Sequence, residues 1–373
     1  VAAWRGMSSH GRARLLIDTD MSVDVDDVGM LCAAHALVQR GEAEILAVVH
    51  DTGLPAGVGA ISAINEFWRR GNILIGGYDG NLGAPAATIS PDWVRKGRGV
   101  YVNGLIKEFS PPITNAGQCW SSKAVYESVL RRAEANSVVI LAVGHLTVLG
   151  ELLESSATRT LVAAKVQKLV VMGGTLSQEA AVPEWNFAGC GGGCGEYDRL
   201  SGITSRALSM WPRNVPVIYL PFETGVDVRT GNGLAERNLK ISPCDRAYFI
   251  YRRDDQRAGP DWIGRSSWDP MALLYAVRGD ANKYYRLEKG WNDVDANTGR
   301  TKWTPARPDE DTQAWESQLI LNSPFKSELE RELNELMEQL PPWVSIQPTP
   351  PHPSPSPPDA PPPPPKPPPP SPR

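Results

Sequence analysis

Leu15-Leu16-Ile17-Asp18-Thr19-Asp20-Met21-Ser22-Val23-Asp24-Val25-Asp26-Asp27 joins an apolar run to a helical pattern and sets five aspartates within ten residues at the junction. Carboxylates this dense repel and raise one another's pKa values unless a cation or hydrogen-bond donors offset the field. A helix beginning near Asp27 supplies part of that relief through its free N–H groups and dipole. Helix capping, however, needs one such residue, not five. A bound cation completes the balance, and oxygen ligands without His or Cys nearby select Ca²⁺, with Mg²⁺ as the alternative, over Zn²⁺. The spacing is not that of an EF-hand: counting from Asp18, Val23 stands where that loop demands Gly, and Gly29 where it demands Glu.

Outward from this junction, short apolar runs recur at residues 14–17, 45–49, 73–75, 138–143, 169–172 and 215–220. Runs apolar on both faces fit strands buried between helices, as in a parallel sheet with right-handed crossovers. Helical patterns lie between them, at 27–39, 58–70, 123–135 and 201–210. The expectation is an α/β fold: one large domain, residues 13–340, around a mostly parallel, doubly wound sheet, preceded by an extension at 1–12. Ligands of such sheets bind at the carboxyl ends of the strands, so the residues after each run are the ones to read for chemistry.

The last 33 residues hold 19 of the 34 prolines. That composition cannot pack a core, so 341–373 is expected to be a disordered, extended proline-rich tail. A formal charge of -4 leaves no basic surplus for nucleic acid. No run approaches the roughly 18 apolar residues of a membrane span. The first ten residues lack the apolar run of a signal peptide, while the start at Val1 leaves a removed leader open. Cys32, Cys119, Cys190, Cys194 and Cys244 are too few and too odd in number to require a disulfide framework. The Cys190–Cys194 pair is close enough to bridge, without a second pair to complete a zinc site.

The Asp18–Asp27 segment resembles the amino-terminal DxDxxxDD signature of the nucleoside hydrolases, except that five residues rather than three separate Asp20 from Asp26, and the additional turn carries Asp24. Later segments match the family in order. Val143-Gly144-His145-Leu146-Thr147 is similar to its carbonyl-donating segment, Met172-Gly173-Gly174 and Glu184-Trp185-Asn186 to its ribose-pocket motifs, and Trp268-Asp269-Pro270 to its last acidic motif. The resemblance implies a metal-dependent hydrolase that releases base and ribose from ribonucleosides, as in purine or pyrimidine salvage. It implies a cation held by Asp20, Asp27, Asp269 and the Val143 carbonyl, with Asp20 as general base. It further implies that Asp26, Asp51, Met172 and Asn186 line the ribose site, that Glu184 meets the 5′ hydroxyl, and that the chain assembles as a dimer or tetramer. Two positions depart from the pattern: Trp268 stands where the family often has His, and the usual Asp-Pro step after Asn186 is missing. His145 is either a satisfied core residue or a neighbour of the leaving base, and Trp185 and Trp268 are candidates to stack on that base.

Two other readings compete. Asp18-Thr19-Asp20 after an apolar strand also suits a phosphohydrolase of the haloacid dehalogenase type with Asp18 as nucleophile, though Ser22 stands where that family expects Thr or Val. A catalytically inactive nucleoside-binding module would keep the pocket without turnover. The proline-rich tail suits an extracellular or cell-wall setting; the resemblance and the missing leader suit the cytoplasm.

Overall fold

The computed structural model describes residues 11–22, 24–80, 100–176, 183–189, 200–254, 262–279, 283–307 and 314–344. The chain divides into two units, Val1–Pro341 and Pro342–Arg373, and the account below is of the first. The tail beyond 344 and the Cys190–Cys194 pair lie outside the described residues.

The runs that read as strands become β1 (Ala13–Thr19), β2 (Ala43–His50), β3 (Leu74–Gly77), β5 (Val138–Ala142), β6 (Val166–Met172) and β7 (Val217–Leu220), with the two-residue β4 (Trp120–Ser121) at one edge. All pair in parallel in the order β7-β6-β5-β1-β2-β3-β4. Leu15, Leu16, Ile17, Val139, Ile140, Leu141, Val170 and Val171 are almost wholly buried, because helices cover both faces of the sheet. β7 starts two residues later than its apolar run: Pro216 has no N–H for the ladder, and its carbonyl accepts from Leu169 N at 2.9 Å.

A third set of strands was not legible as apolar runs. β8 (Arg229–Thr230) and β9 (Arg265–Ser266) form a separate antiparallel pair. β10 (Tyr285–Val294), β11 (Thr301–Pro305) and β12 (Glu316–Leu321) extend the main sheet to ten strands, β12 joining β7 in parallel and β10 pairing antiparallel with both neighbours. Much of β10 is only half-buried, and β12 starts with the buried polar residues Glu316, Ser317 and Gln318, so these strands show neither a continuous apolar run nor a clean alternation.

Helix α1 (Asp26–Gln39) is buried along nearly its whole length, from Asp26 to Leu37. α2 (Gly57–Phe67) ends earlier than its pattern, where Arg69 turns to φ 53°. The helix expected at 123–135 spans Ser122–Arg132, with Ser121 Oγ accepting from Ala124 N at 3.3 Å, and the one expected at 201–210 spans Leu200–Met210. A disulfide, Cys32–Cys244, joins α1 to the helix Pro243–Asp254 across 212 residues. Its two cysteines are no motif in the sequence, and only the packing of the two helices brings their Cα atoms to 6.4 Å. No helix among the described residues is long and apolar enough to cross a membrane.

Candidate metal centre and its surroundings

In the sheet β1 lies between β2 and β5, so the chain winds in opposite directions on its two sides. This switch point is where the edges of the sheet part and leave a crevice. Asp18, Thr19 and Asp20 lie at the end of β1, His50 and Asp51 at the end of β2, Val143 to His145 after β5, and Met172 to Gly174 after β6. Gly144 has no room for a side chain: a Cβ there meets Asp51 Oδ2 at 2.2 Å and Asp20 N at 2.5 Å.

Three carboxylates converge in this region. Asp26, Asp27 and Asp269 are buried, and one oxygen from each lies within 4.8 Å of the others. Asp26 and Asp27 form the first turn of α1, while Asp269 is in the first turn of the helix Trp268–Arg278. Neither helix has a side-chain cap, so both bring the positive ends of their dipoles to the cluster. Asp269 N donates to Asp26 Oδ2 at 3.3 Å, and the Thr19 hydroxyl donates to Asp27 Oδ1.

Behind this group lie Asp18 and Asp51, both without solvent exposure. Tyr126 donates its hydroxyl to Asp18 Oδ2 at 2.7 Å. Apart from a contact between these two carboxyl groups, Asp18 Oδ1 and both oxygens of Asp51 receive no hydrogen bond. Burial, as the largest cause, pushes Asp18 and Asp20 up to about 7 and holds Asp26, Asp27, Asp51 and Asp269 well above the usual carboxylate range; the neighbouring aspartates raise each further. Buried like charges with too few donors are expensive, and a hard cation removes that cost. Oxygens up to 4.8 Å apart suit opposite ligands of an ion with Ca–O distances of about 2.4 Å. The residues present therefore fit a Ca²⁺ or Mg²⁺ site.

Of the residues expected on the cation, Asp27 and Asp269 lie together, and Asp26, expected on the ribose, lies beside them. Asp20 is not in that trio, although its charge acts on both Asp27 and Asp269. It accepts a hydrogen bond from Trp185. The Val143 carbonyl accepts from Asn186 Nδ2 at 2.8 Å, and the same nitrogen reaches the Met172 carbonyl at 3.2 Å. These bonds tie together the segments after β5 and β6.

Glu184 acts first as a cap: its carboxylate accepts from Asn186 N at 2.7 Å, Gly174 N at 3.0 Å and Phe187 N at 3.2 Å. Burial still pushes it up to about 7. The Met-Gly-Gly step fits here because a Cβ at Gly173 meets the Phe187 ring at 2.2 Å and Gly174 has φ +81°. His145 is fully buried; its Nδ1 donates to the Asn186 carbonyl at 3.2 Å and its Nε2 stands 4.0 Å from Asp20 Oδ2. Burial lowers it to about 4, so the ring is neutral near pH 7.

Sequence reading missed three contributors. Tyr126 supports Asp18; Phe222, 40% exposed, lies 5.2 Å from the Trp268 ring; Arg265 pairs with Asp24. Trp268 donates its indole N–H to the Phe222 carbonyl at 2.7 Å and is buried, with Arg265 4.9 Å over its ring. None of these belongs to a motif, and all depend on segments far apart in the chain.

The fold is that of the nucleoside hydrolases. The inosine-uridine preferring nucleoside hydrolase from Bacillus anthracis superposes with a TM-score of 0.58 at 17% identity, covering 87% of this chain and 99% of its own. The purine-preferring ribonucleoside hydrolase from Gardnerella vaginalis gives 0.61 at 16% identity, with 87% and 99% covered. The type III effector protein XopQ, solved in complex with adenosine diphosphate ribose, gives 0.60 at 14% identity, with 88% and 94% covered. No protein-family model matches the chain, and a search of curated proteins returns no significant match.

Proposed function

We propose that this chain is a metal-dependent hydrolase that cleaves the N-glycosidic bond of ribonucleosides. The observation that carries the reading is the convergence of Asp26, Asp27 and Asp269 beside Asp20 at the switch point of the sheet. Asp26, Asp27 and Asp269 hold the cation, with Asp20 and the Val143 carbonyl next to them. Ca²⁺ is the favoured ion, and when bound it lowers the pKa of water and grips sugar hydroxyls.

N-glycosidic cleavage passes through a ribosyl cation-like state, which a ring of carboxylates stabilises. Asp20 takes the proton of the attacking water. As the new C–O bond forms at the anomeric carbon, the C–N bond breaks and its electron pair leaves with the base. Met172 and Asn186 border the sugar, the buried Asp51 backs Asp20, and Glu184 braces the segment that carries Asn186. The exposed Phe222 ring, backed by the buried Trp268, offers a surface for the base. The indole N–H of Trp268 is already given to Phe222 and the Nδ1–H of His145 to Asn186, so the departing base takes its proton from water.

The phosphohydrolase alternative needs Asp18 as an accessible nucleophile. Asp18 is fully buried and bonded to Tyr126, which favours a supporting role. Release of reducing sugar from a panel of ribonucleosides, with and without chelator, tests the proposal, with ADP-ribose and a phosphomonoester alongside. Chelator-sensitive ribose release supports it; turnover of the phosphomonoester alone contradicts it.

A further inference from the structure

Asp24, in the turn that lengthens the first motif, does not point its charge at the trio of aspartates alone. Arg265 Nε donates to Asp24 Oδ1 at 2.6 Å and to Oδ2 at 2.9 Å, and Nη2 adds a bond to Oδ2. The guanidinium also lies 4.9 Å over the Trp268 ring, and Tyr101 donates its hydroxyl to the Asp24 carbonyl. Arg265 opposes the acidic field at Asp26, whereas the leading electrostatic influences on Asp20, Asp27, Asp51 and Asp269 are burial and other aspartates.

We propose that Asp24 and Arg265 form a clasp that holds the two halves of the metal centre in register, and that the lengthened turn exists to supply its acidic half. The proposal rests on the metal-site reading above. Asp24 precedes Asp26 by two residues and Arg265 precedes Asp269 by four, so one contact joins the approaches to both helix starts. A forked guanidinium–carboxylate pair fixes orientation as well as distance, which a lysine does not. The two side chains are only 19% and 27% exposed, so breaking the pair also leaves a partly buried charge without its partner. What the clasp fixes is geometry: without it, three mutually repelling carboxylates held by two separate helices move apart. Both residues are therefore positioning residues.

The sign of the effect separates this clasp from simple charge. Neutralising Asp24 makes the site less attractive to a cation and neutralising Arg265 makes it more attractive, whereas both break the clasp. Calorimetric titration of Ca²⁺ into chelator-treated full-length protein, with melting temperatures alongside, decides. Asp24→Asn, Arg265→Gln and Arg265→Lys should each weaken binding by about 10- to 100-fold, the usual cost of losing support around metal ligands. Melting temperatures of the metal-free proteins report separately on any loss of fold stability from the broken pair. If a neutral variant does not fold, Arg265→Lys, which keeps the charge and loses the fork, decides alone. Tighter binding by Arg265→Gln, or unchanged binding by all variants, overturns the clasp and leaves the metal site standing. Absence of Ca²⁺ uptake by the unaltered protein overturns the metal reading, and the clasp with it.

Discussion

The backbone N–H of Asp269 donates to Oδ2 of Asp26 at 3.3 Å, joining the first turns of two helices whose sequences lie 243 residues apart. Each helix alone would carry an ordinary acidic first turn. Joined, they make a buried trio of carboxylates, and most of the site's chemistry follows from their proximity.

Replacing Asp269 tests that trio. Asp269→Asn keeps the size and one ligand oxygen but removes a charge, so Ca²⁺ affinity should drop by at least about tenfold. The metal-free variant should melt at a higher temperature than the unaltered protein, since one member of a repelling buried set is gone. Calorimetry and thermal denaturation check both parts, and a lower melting temperature with unchanged Ca²⁺ affinity would contradict them.

Stability should depend on pH in a direction opposite to that of most proteins. Asp18, Asp20 and Glu184 are pushed up to about 7, and Asp26, Asp27, Asp51 and Asp269 well above their usual range, by burial first. The folded metal-free chain therefore keeps protons that the unfolded chain has lost, and stability falls as pH rises through the folded values. His35, lowered by burial to about 3, and His50 and His145, lowered to about 4, act the other way: their contribution is lost as pH falls below about 6.5. Between about pH 7.5 and 8.5 these histidines are neutral in both states, and of the groups named here only the carboxylates still titrate. The melting temperature of chelated protein should decline across that window, and saturating Ca²⁺ should abolish the decline. A flat or rising profile without metal would count against the acidic centre.

Much of the parallel core was legible because buried strands between helices read as continuous apolar runs. β10 to β12 were not, since β10 is largely half-buried and β12 buries polar residues, Glu316, Ser317 and Gln318, so neither leaves such a trace. Asp27 and Asp269 were legible through local motifs at strand and helix ends. The placement of Asp26 with them, the bond from Tyr126 to Asp18 and the Asp24–Arg265 pair were not, because each depends on how distant segments pack. The same limit hid the Cys32–Cys244 bridge, whose members lie in two helices with no pairing signature.

That bridge gives a prediction of its own. It closes a loop of 212 residues and anchors α1, the helix that begins with Asp26 and Asp27. The Cys32→Ser/Cys244→Ser variant should lose about 2–5 kcal/mol of stability, the usual range for a native bridge. Chemical denaturation of the variant and the oxidised protein measures the difference, and equal midpoints would show that the bridge does not constrain the fold.

Asp20 carries the account's central claim, that a carboxylate beside the metal centre takes the proton from water during nucleoside hydrolysis. The measurement is kcat for ribose release by Asp20→Asn at saturating Ca²⁺, compared with Asp18→Asn and the unaltered enzyme. Loss of a positioned base costs about 10²- to 10⁴-fold, so Asp20→Asn should fall by that factor with little change in KM, and Asp18→Asn should fall less. A nucleosidase rate unaffected by Asp20→Asn, or one abolished only by Asp18→Asn, would contradict the mechanism.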